Sequence, residues 1–132
     1  MAKLTAQKMG KTIENGVWKL IIKTRAGWKC ELCENSKERG HAMHAHHIEN
    51  KQTNYMRILL DNGVCLCAHH HMSIHGQKGR ELQNETDDKL TKLRGKKFLD
   101  NLAYLKRNSP KLTTQDMEDK KKEYKELLNE LG

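Results

Sequence analysis

Val17, Leu20, Ile21 and Thr24 recur at helical spacing, Trp18 and Ile22 widen that stripe, and Lys19, Lys23 and Arg25 fall outside it. This pattern predicts a helix from about Thr12 to Ala26, stopped by Gly27. The nine residues MAKLTAQKM ahead of it carry no periodicity and read as a mobile basic arm. Beyond Gly27 the period changes. MHAHHI, from Met43 to Ile48, and NGVCLC, from Asn62 to Cys67, have the length of paired strands, with Cys65 and Cys67 on one face because side chains alternate. The segment between them, ENKQTNYMRILLD, reads as a polar loop ending in an apolar run. After Cys67 the run AHHHMSIHG suits a helix ending at Gly76, which sets His71 and His75 on one face.

Two more helices follow. The first spans about Asp87 to Lys106, with Thr86 as its cap and Leu90, Leu93, Phe98, Leu102 and Leu105 as its apolar residues. Ser109 and Pro110 break the chain. The second spans about Gln115 to Leu131, with a narrow stripe of Met117, Tyr124, Leu127, Leu128 and Leu131, and a solvated face of Lys120, Lys121, Lys122 and Lys125. The expected class is α+β and mostly helical: an N-terminal helix, a hairpin-plus-helix core and two C-terminal helices. Residues 1–29, 30–79 and 80–132 are its three parts, within one compact domain.

Composition adds a reason to look for a metal. Charged residues make up 32% of the 132 and aromatics 5%, so the middle of the chain lacks the apolar area to hold itself together and needs another staple. The net charge of +8 favours a polyanionic partner. Its sign is uneven: residues 1–29 hold seven Lys or Arg against one acid, whereas residues 30–79 hold five against five. Lys3, Lys8, Lys11, Lys19, Lys23, Arg25 and Lys29 are therefore the candidate contacts to a polyanion such as DNA. The start MAKLTAQKMGK has no apolar signal region and no stretch approaches a membrane span, which predicts a cytoplasmic protein with reduced cysteines and no membrane partner.

All four cysteines and all eight histidines lie between Cys30 and His75. Cys30 and Cys33 form a CxxC knuckle, and Cys67 with His70 a CxxH pair at the strand-to-helix junction. Three thiolates and one imidazole make a closed structural Zn²⁺ site. Cys65 competes as a ligand, although a CxC along one strand is a less usual chelate; otherwise it is a small buried apolar residue. His41 and His44 have no assigned role, with a solvated position or a weak phosphate contact as the default. His46 and His47 point to opposite sides of their strand, so one can face a metal while the other faces a substrate.

The ordered set Arg25-x-Gly27-Trp28-x-Cys30-x-x-Cys33, His46-His47-Ile48 and Asp61-Asn62-Gly63-Val64-x-Leu66-Cys67-x-x-His70-His71-x-x-x-His75 resembles the HNH nuclease family. The resemblance covers about residues 18–76. It implies a ββα-metal core and a metal-dependent DNA endonuclease, nicking or cutting both strands to leave 5′-phosphate and 3′-hydroxyl ends. By position His47 matches the family's general base and Asn62 the residue that orients it. His46 and His71 match its ligands for the catalytic ion, and His75 a further histidine of some members. Many members carry Asp where His46 stands and Cys where His70 stands. An imidazole in place of the carboxylate makes Mn²⁺, Ni²⁺, Co²⁺ or Zn²⁺ as suitable as Mg²⁺. His69, His70 and His71 leave two registers open, and Cys67-x-x-His70 favours His70 for zinc and His71 for the catalytic ion. Stand-alone members of this length are often phage-encoded beside the terminase, which implies a DNA-packaging setting within a host cell. The competing functions are a zinc-binding DNA-binding module without turnover and a structural zinc protein of a larger DNA-processing machine.

Overall fold

Helix formation begins well before Thr12. The computed structural model describes residues 5–132, and its first helix, α1, runs Ala6–Ile13 with the Thr5 hydroxyl accepting from the Lys8 amide at 3.2 Å. A Thr cap of this kind satisfies one of the orphan amides of the first turn. Only residues 1–4 of the expected arm, including Lys3, lie outside the described residues. The chain then passes through a π-helical turn, Glu14–Trp18, into α2, Lys19–Arg25. Asn15 and Gly16 are poor helix formers at the point where the ladder widens, and π turns of this sort are uncommon and concentrate at functional sites.

The knuckle loop leads to β1, Met43–His47, which pairs antiparallel with β2, Gly63–Cys67, in the register His46 to Val64 and Met43 to Cys67. α4, Ala68–Ile74, follows β2 directly, so the hairpin-plus-helix unit stands where the pattern put it. Between the strands the structure differs from the expected loop: α3, Asn54–Ile58, and a 3₁₀ turn, Leu60–Asn62, occupy it. The sequence hides α3 because it has only five residues; Thr53 caps it, accepting from Met56 N, and Met56 and Ile58 enter the core. The C-terminal part has three helices where two were expected: α5, Arg80–Arg94, α6, Lys96–Arg107, and α7, Thr114–Leu131. Gly95, at φ 87°, divides the first pair. Thr86 lies inside α5 and its hydroxyl donates to the Leu82 carbonyl, so it is no cap. α7 is closed by a capping box between Thr113 and Asp116.

The core joins α1, α2, both strands, α5 and α7 through Ile13, Trp18, Ile21, Ile22, Val64, Leu66, Leu90, Met117 and Tyr124. β2 is buried along its whole length. Glu31 covers its outer edge: its amide donates to the Cys65 carbonyl at 2.9 Å and its carboxylate accepts from the Cys65 amide at 2.7 Å. Arg94 Nη2 reaches from α5 to the same carboxylate at 3.0 Å, and Arg25 Nη2 donates to the Gly63 carbonyl at 2.9 Å. Two arginines and one glutamate thus finish a sheet that has no third strand. At Gly63 itself a methyl group would stand 2.9 Å from Trp18 Cζ2 and closer still to Ile22. Gly63→Ala is therefore expected to cost about 1–3 kcal/mol through overpacking. A lowered denaturant midpoint at unchanged slope is the readout. No helix of the described residues is long and apolar enough to cross a membrane.

Candidate functional site

Cys30 and Cys33 sit just past α2, and Cys67 and His70 at the start of α4. One donor atom from each lies within 4.8 Å of the others. Cys30 Sγ and Cys67 Sγ are 3.6 and 3.4 Å from His70 Nδ1, and the Cys33 and Cys67 sulfurs are 3.8 Å apart. Those are close to tetrahedral edges: zinc–sulfur and zinc–nitrogen bonds of about 2.3 and 2.0 Å imply about 3.8 Å between sulfurs and about 3.5 Å from sulfur to nitrogen. Burial pushes the Cys33 thiol up to about 12, with the Cys30 sulfur beside it adding to the rise. Burial alone would raise Cys67 as well, but hydrogen bonds from the His70 backbone and the Asn35 side chain draw it below an ordinary thiol. Asn35 also donates its amide to Cys33 Sγ at 3.5 Å. Buried thiols that resist sharing negative charge, held by amide donors, suit a cation such as Zn²⁺. Cys65 is buried outside this group, as a core residue.

A second group forms on the other side of α4. His46 from β1 with His71 and His75 from α4 and its end bring one ring nitrogen each within 4.8 Å. Burial first, then the fields of His75 and His71, hold His46 down at about 3. Burial, with His44 and His75, lowers His71 too, and His71 Nδ1 is buried without a hydrogen-bond partner. Neutral imidazoles turned on one another, one with an orphaned ring nitrogen, fit a divalent cation better than they fit protons. His70 thus joins the cysteines and His71 the second group; His69 is exposed and in neither. His44, which had no assigned role, stacks on His71 with ring centroids 4.9 Å apart.

His47 is not one of that group. Its ring lies flat on Trp18, centroids 4.1 Å apart and planes 6° from parallel. Nε2 is 2.8 Å from the Arg57 carbonyl, which can only accept, so the proton sits on Nε2 and Nδ1 keeps its lone pair. Burial lowers the His47 pKa; the Arg57 carbonyl and Glu14 oppose it without cancelling it. Nδ1 faces Glu14 Oε2 at 3.7 Å. Glu14 is buried in the π turn and ionised: burial works against its charge, but hydrogen bonds from Lys51 and Arg57 outweigh burial and lower its pKa.

Asn62 does not bond to His47. It is fully buried; Nδ2 donates to the Glu49 and Met56 carbonyls at 3.1 and 3.0 Å, and Oδ1 accepts from the Glu49 amide at 2.7 Å. It holds the backbone of Glu49 and Met56 instead. Asn62→Ala removes three hydrogen bonds, the one to the Met56 carbonyl buried and the two to Glu49 partly open to water. The buried carbonyl is left unpaired, and a stability loss of about 1–3 kcal/mol in chemical denaturation is expected.

His46, His47, His71, His75, Lys19, Lys23, Lys51 and Glu14 line one cleft of about 500 Å³. Of the residues assigned to DNA, Lys19 and Lys23 reach it. Lys8 and Lys11 are exposed on α1 and Lys29 borders a separate depression by the knuckle. Arg25 is tied to the Leu60 and Gly63 carbonyls. Glu14, Lys51 and Arg57 were missed in the sequence reading. Glu14 had a visible signal: it is the lone acid of residues 1–29 and stands three and four positions before Val17 and Trp18 on the apolar stripe. Lys51 and Arg57 had none. Compared with protein-family models, curated proteins and solved structures, the chain matches none.

Proposed function

We propose that the chain is a metal-dependent DNA endonuclease of the HNH kind, with β1, β2 and α4 as its ββα-metal unit and zinc at Cys30, Cys33, Cys67 and His70. The observation that carries this reading is a single cleft lined by His47, whose Nδ1 is free to take a proton, and by the separate His46, His71 and His75 group suited to a cation. Pure zinc-dependent binding needs neither.

A divalent ion held by His46, His71 and His75 would supply Lewis-acid stabilisation of charge on the phosphate and on the departing 3′ oxygen. His47 supplies the base. Its lowered pKa keeps it neutral near pH 7, so Nδ1 can accept a proton from water as the water oxygen attacks phosphorus in line. The bond from phosphorus to the 3′ oxygen breaks and the departing oxygen takes a proton from solvent water, leaving a 5′-phosphate and a 3′-hydroxyl. Trp18 fixes the plane of the ring and the Arg57 carbonyl fixes its tautomer. The Glu14 carboxylate then faces an imidazolium, which it stabilises.

Incubation of supercoiled plasmid with the protein and Mn²⁺ tests the reading. Open-circular or linear DNA is expected, with nicks that DNA ligase reseals because the ends are 5′-phosphate and 3′-hydroxyl. Plasmid that stays supercoiled with Mn²⁺, Mg²⁺, Ni²⁺, Co²⁺ and Zn²⁺ would contradict it.

A further inference from the structure

We propose that Lys51 is a phosphate-binding residue of the cleft, held in place by the buried Glu14 to take a backbone phosphate of the bound strand. The inference rests on the cleft being a nucleic-acid site.

Glu14 is 3% exposed and meets two cations: Arg57 Nη1 at 2.8 Å and the Lys51 ammonium. One carboxylate against two cations leaves one positive charge over. The two cations are not equivalent. The Arg57 side chain is 12% exposed and faces the protein, whereas that of Lys51 is 48% exposed and lines the cleft beside His46, His47, His71 and His75. Arg57 therefore balances Glu14 from within, and the surplus charge falls on Lys51, whose ammonium has three donors to place.

The rest of the wall has the same sign. Lys19 and Lys23 line it, and neither is in an ion pair among the described residues. The one other acid there, Glu49, faces Lys106 Nζ at 3.6 Å. Asn15 and Asn50 add neutral donors. An anion is what such a wall takes.

Lys51 is also held where a flexible surface lysine would not be. The loop from Ile48 to Thr53 is pinned at both ends: the Asn62 side chain grips both backbone groups of Glu49, and Thr53 caps α3 while its hydroxyl donates to Ser109 Oγ at 2.9 Å. Glu14 then fixes the ammonium from below. Much of the entropy a lysine loses on meeting a phosphate is lost beforehand in this arrangement.

The test is the salt dependence of binding, which needs no turnover. A fluorescent DNA duplex is titrated with the zinc-loaded full chain without added Mn²⁺, at several salt concentrations, for wild type, Lys51→Ala, Lys51→Arg and Lys122→Ala. Losing one phosphate contact lowers the log–log salt slope by about 0.9. Lys51→Ala should show that drop, Lys51→Arg should keep the wild-type slope, and Lys122→Ala, exposed on α7, should leave it unchanged. An unchanged slope in Lys51→Ala overturns the inference, whether or not the wild type cleaves plasmid. A drop shared by Lys51→Arg together with a lowered melting temperature makes Lys51 a structural ion-pair partner and overturns it too, as does a wild-type protein that fails to bind. Wild-type protein that binds with the expected slopes yet never cleaves supports the phosphate site and contradicts the nuclease reading alone.

Discussion

Removal of the ion from the Cys30, Cys33, Cys67 and His70 group is expected to unfold the central region of the chain. The CxxC follows α2, and the CxxH joins β2 to α4, so an ion bound there would tie α2 to the hairpin-plus-helix unit. The knuckle loop between has little else: Glu34, Lys37, Glu38, Arg39, Gly40, His41 and Ala42 are all exposed. Structural zinc contributes about 10–16 kcal/mol to such folds at pH 7, against about 5–15 kcal/mol for the net stability of a whole domain. Loss of such an ion would thus remove a contribution as large as the net stability of the whole domain. A zinc-selective chelator should abolish the cooperative thermal transition, and Cys67→Ser should behave alike because it removes a ligand and leaves two thiols and an imidazole buried without a cation. Unchanged melting after verified zinc removal would contradict a structural site.

The grouping of Cys30, Cys33, Cys67 and His70 was legible because its chemistry is local. Two ligands per turn at each end of the segment fix the spacing, whatever the fold between them does. The hairpin and α4 were legible for a similar reason, since the strand-length runs around Ala45 and Val64 and the helical spacing of His71 and His75 are local features. What the sequence hid depends on contacts between distant segments. α3 is too short to show a period and exists because Met56 and Ile58 find a core supplied by other elements. Gly95 splits α5 from α6 although the leucines on either side keep helical spacing; only its positive φ distinguishes a break from a tolerated glycine. Asn62 was recognisable as a residue of consequence, yet its role as a clamp on Glu49 and Met56 follows from the path of the loop. Glu14 enters the cleft through a π turn, and a helix of ordinary pitch was the expectation there.

The second large effect is expected at His47. His47→Ala removes the one imidazole in the cleft with its proton fixed on Nε2 and its Nδ1 free, while leaving His46, His71 and His75 as they are. Loss of a general base costs about 10²–10⁴ in rate, so cleavage should fall at least about a hundredfold. The fold should survive, because the ring contributes one hydrogen bond and one stacking contact to a Trp18 that is also held by its Nε1 bond to the Leu59 carbonyl. His71→Ala takes away the residue with the orphaned Nδ1, weakening the ion and not the base, so excess Mn²⁺ should partly restore it.

Plasmid cleavage run beside calorimetric Mn²⁺ titration, on zinc-loaded wild type, His47→Ala and His71→Ala, puts these roles against one another. The predicted result is an inactive His47→Ala protein that binds Mn²⁺ as the wild type does, and a His71→Ala protein that binds Mn²⁺ weakly and regains part of its activity as the metal is raised. Full activity in His47→Ala, or Mn²⁺ affinity lost in His47→Ala and kept in His71→Ala, would contradict the assignment of base and ligands.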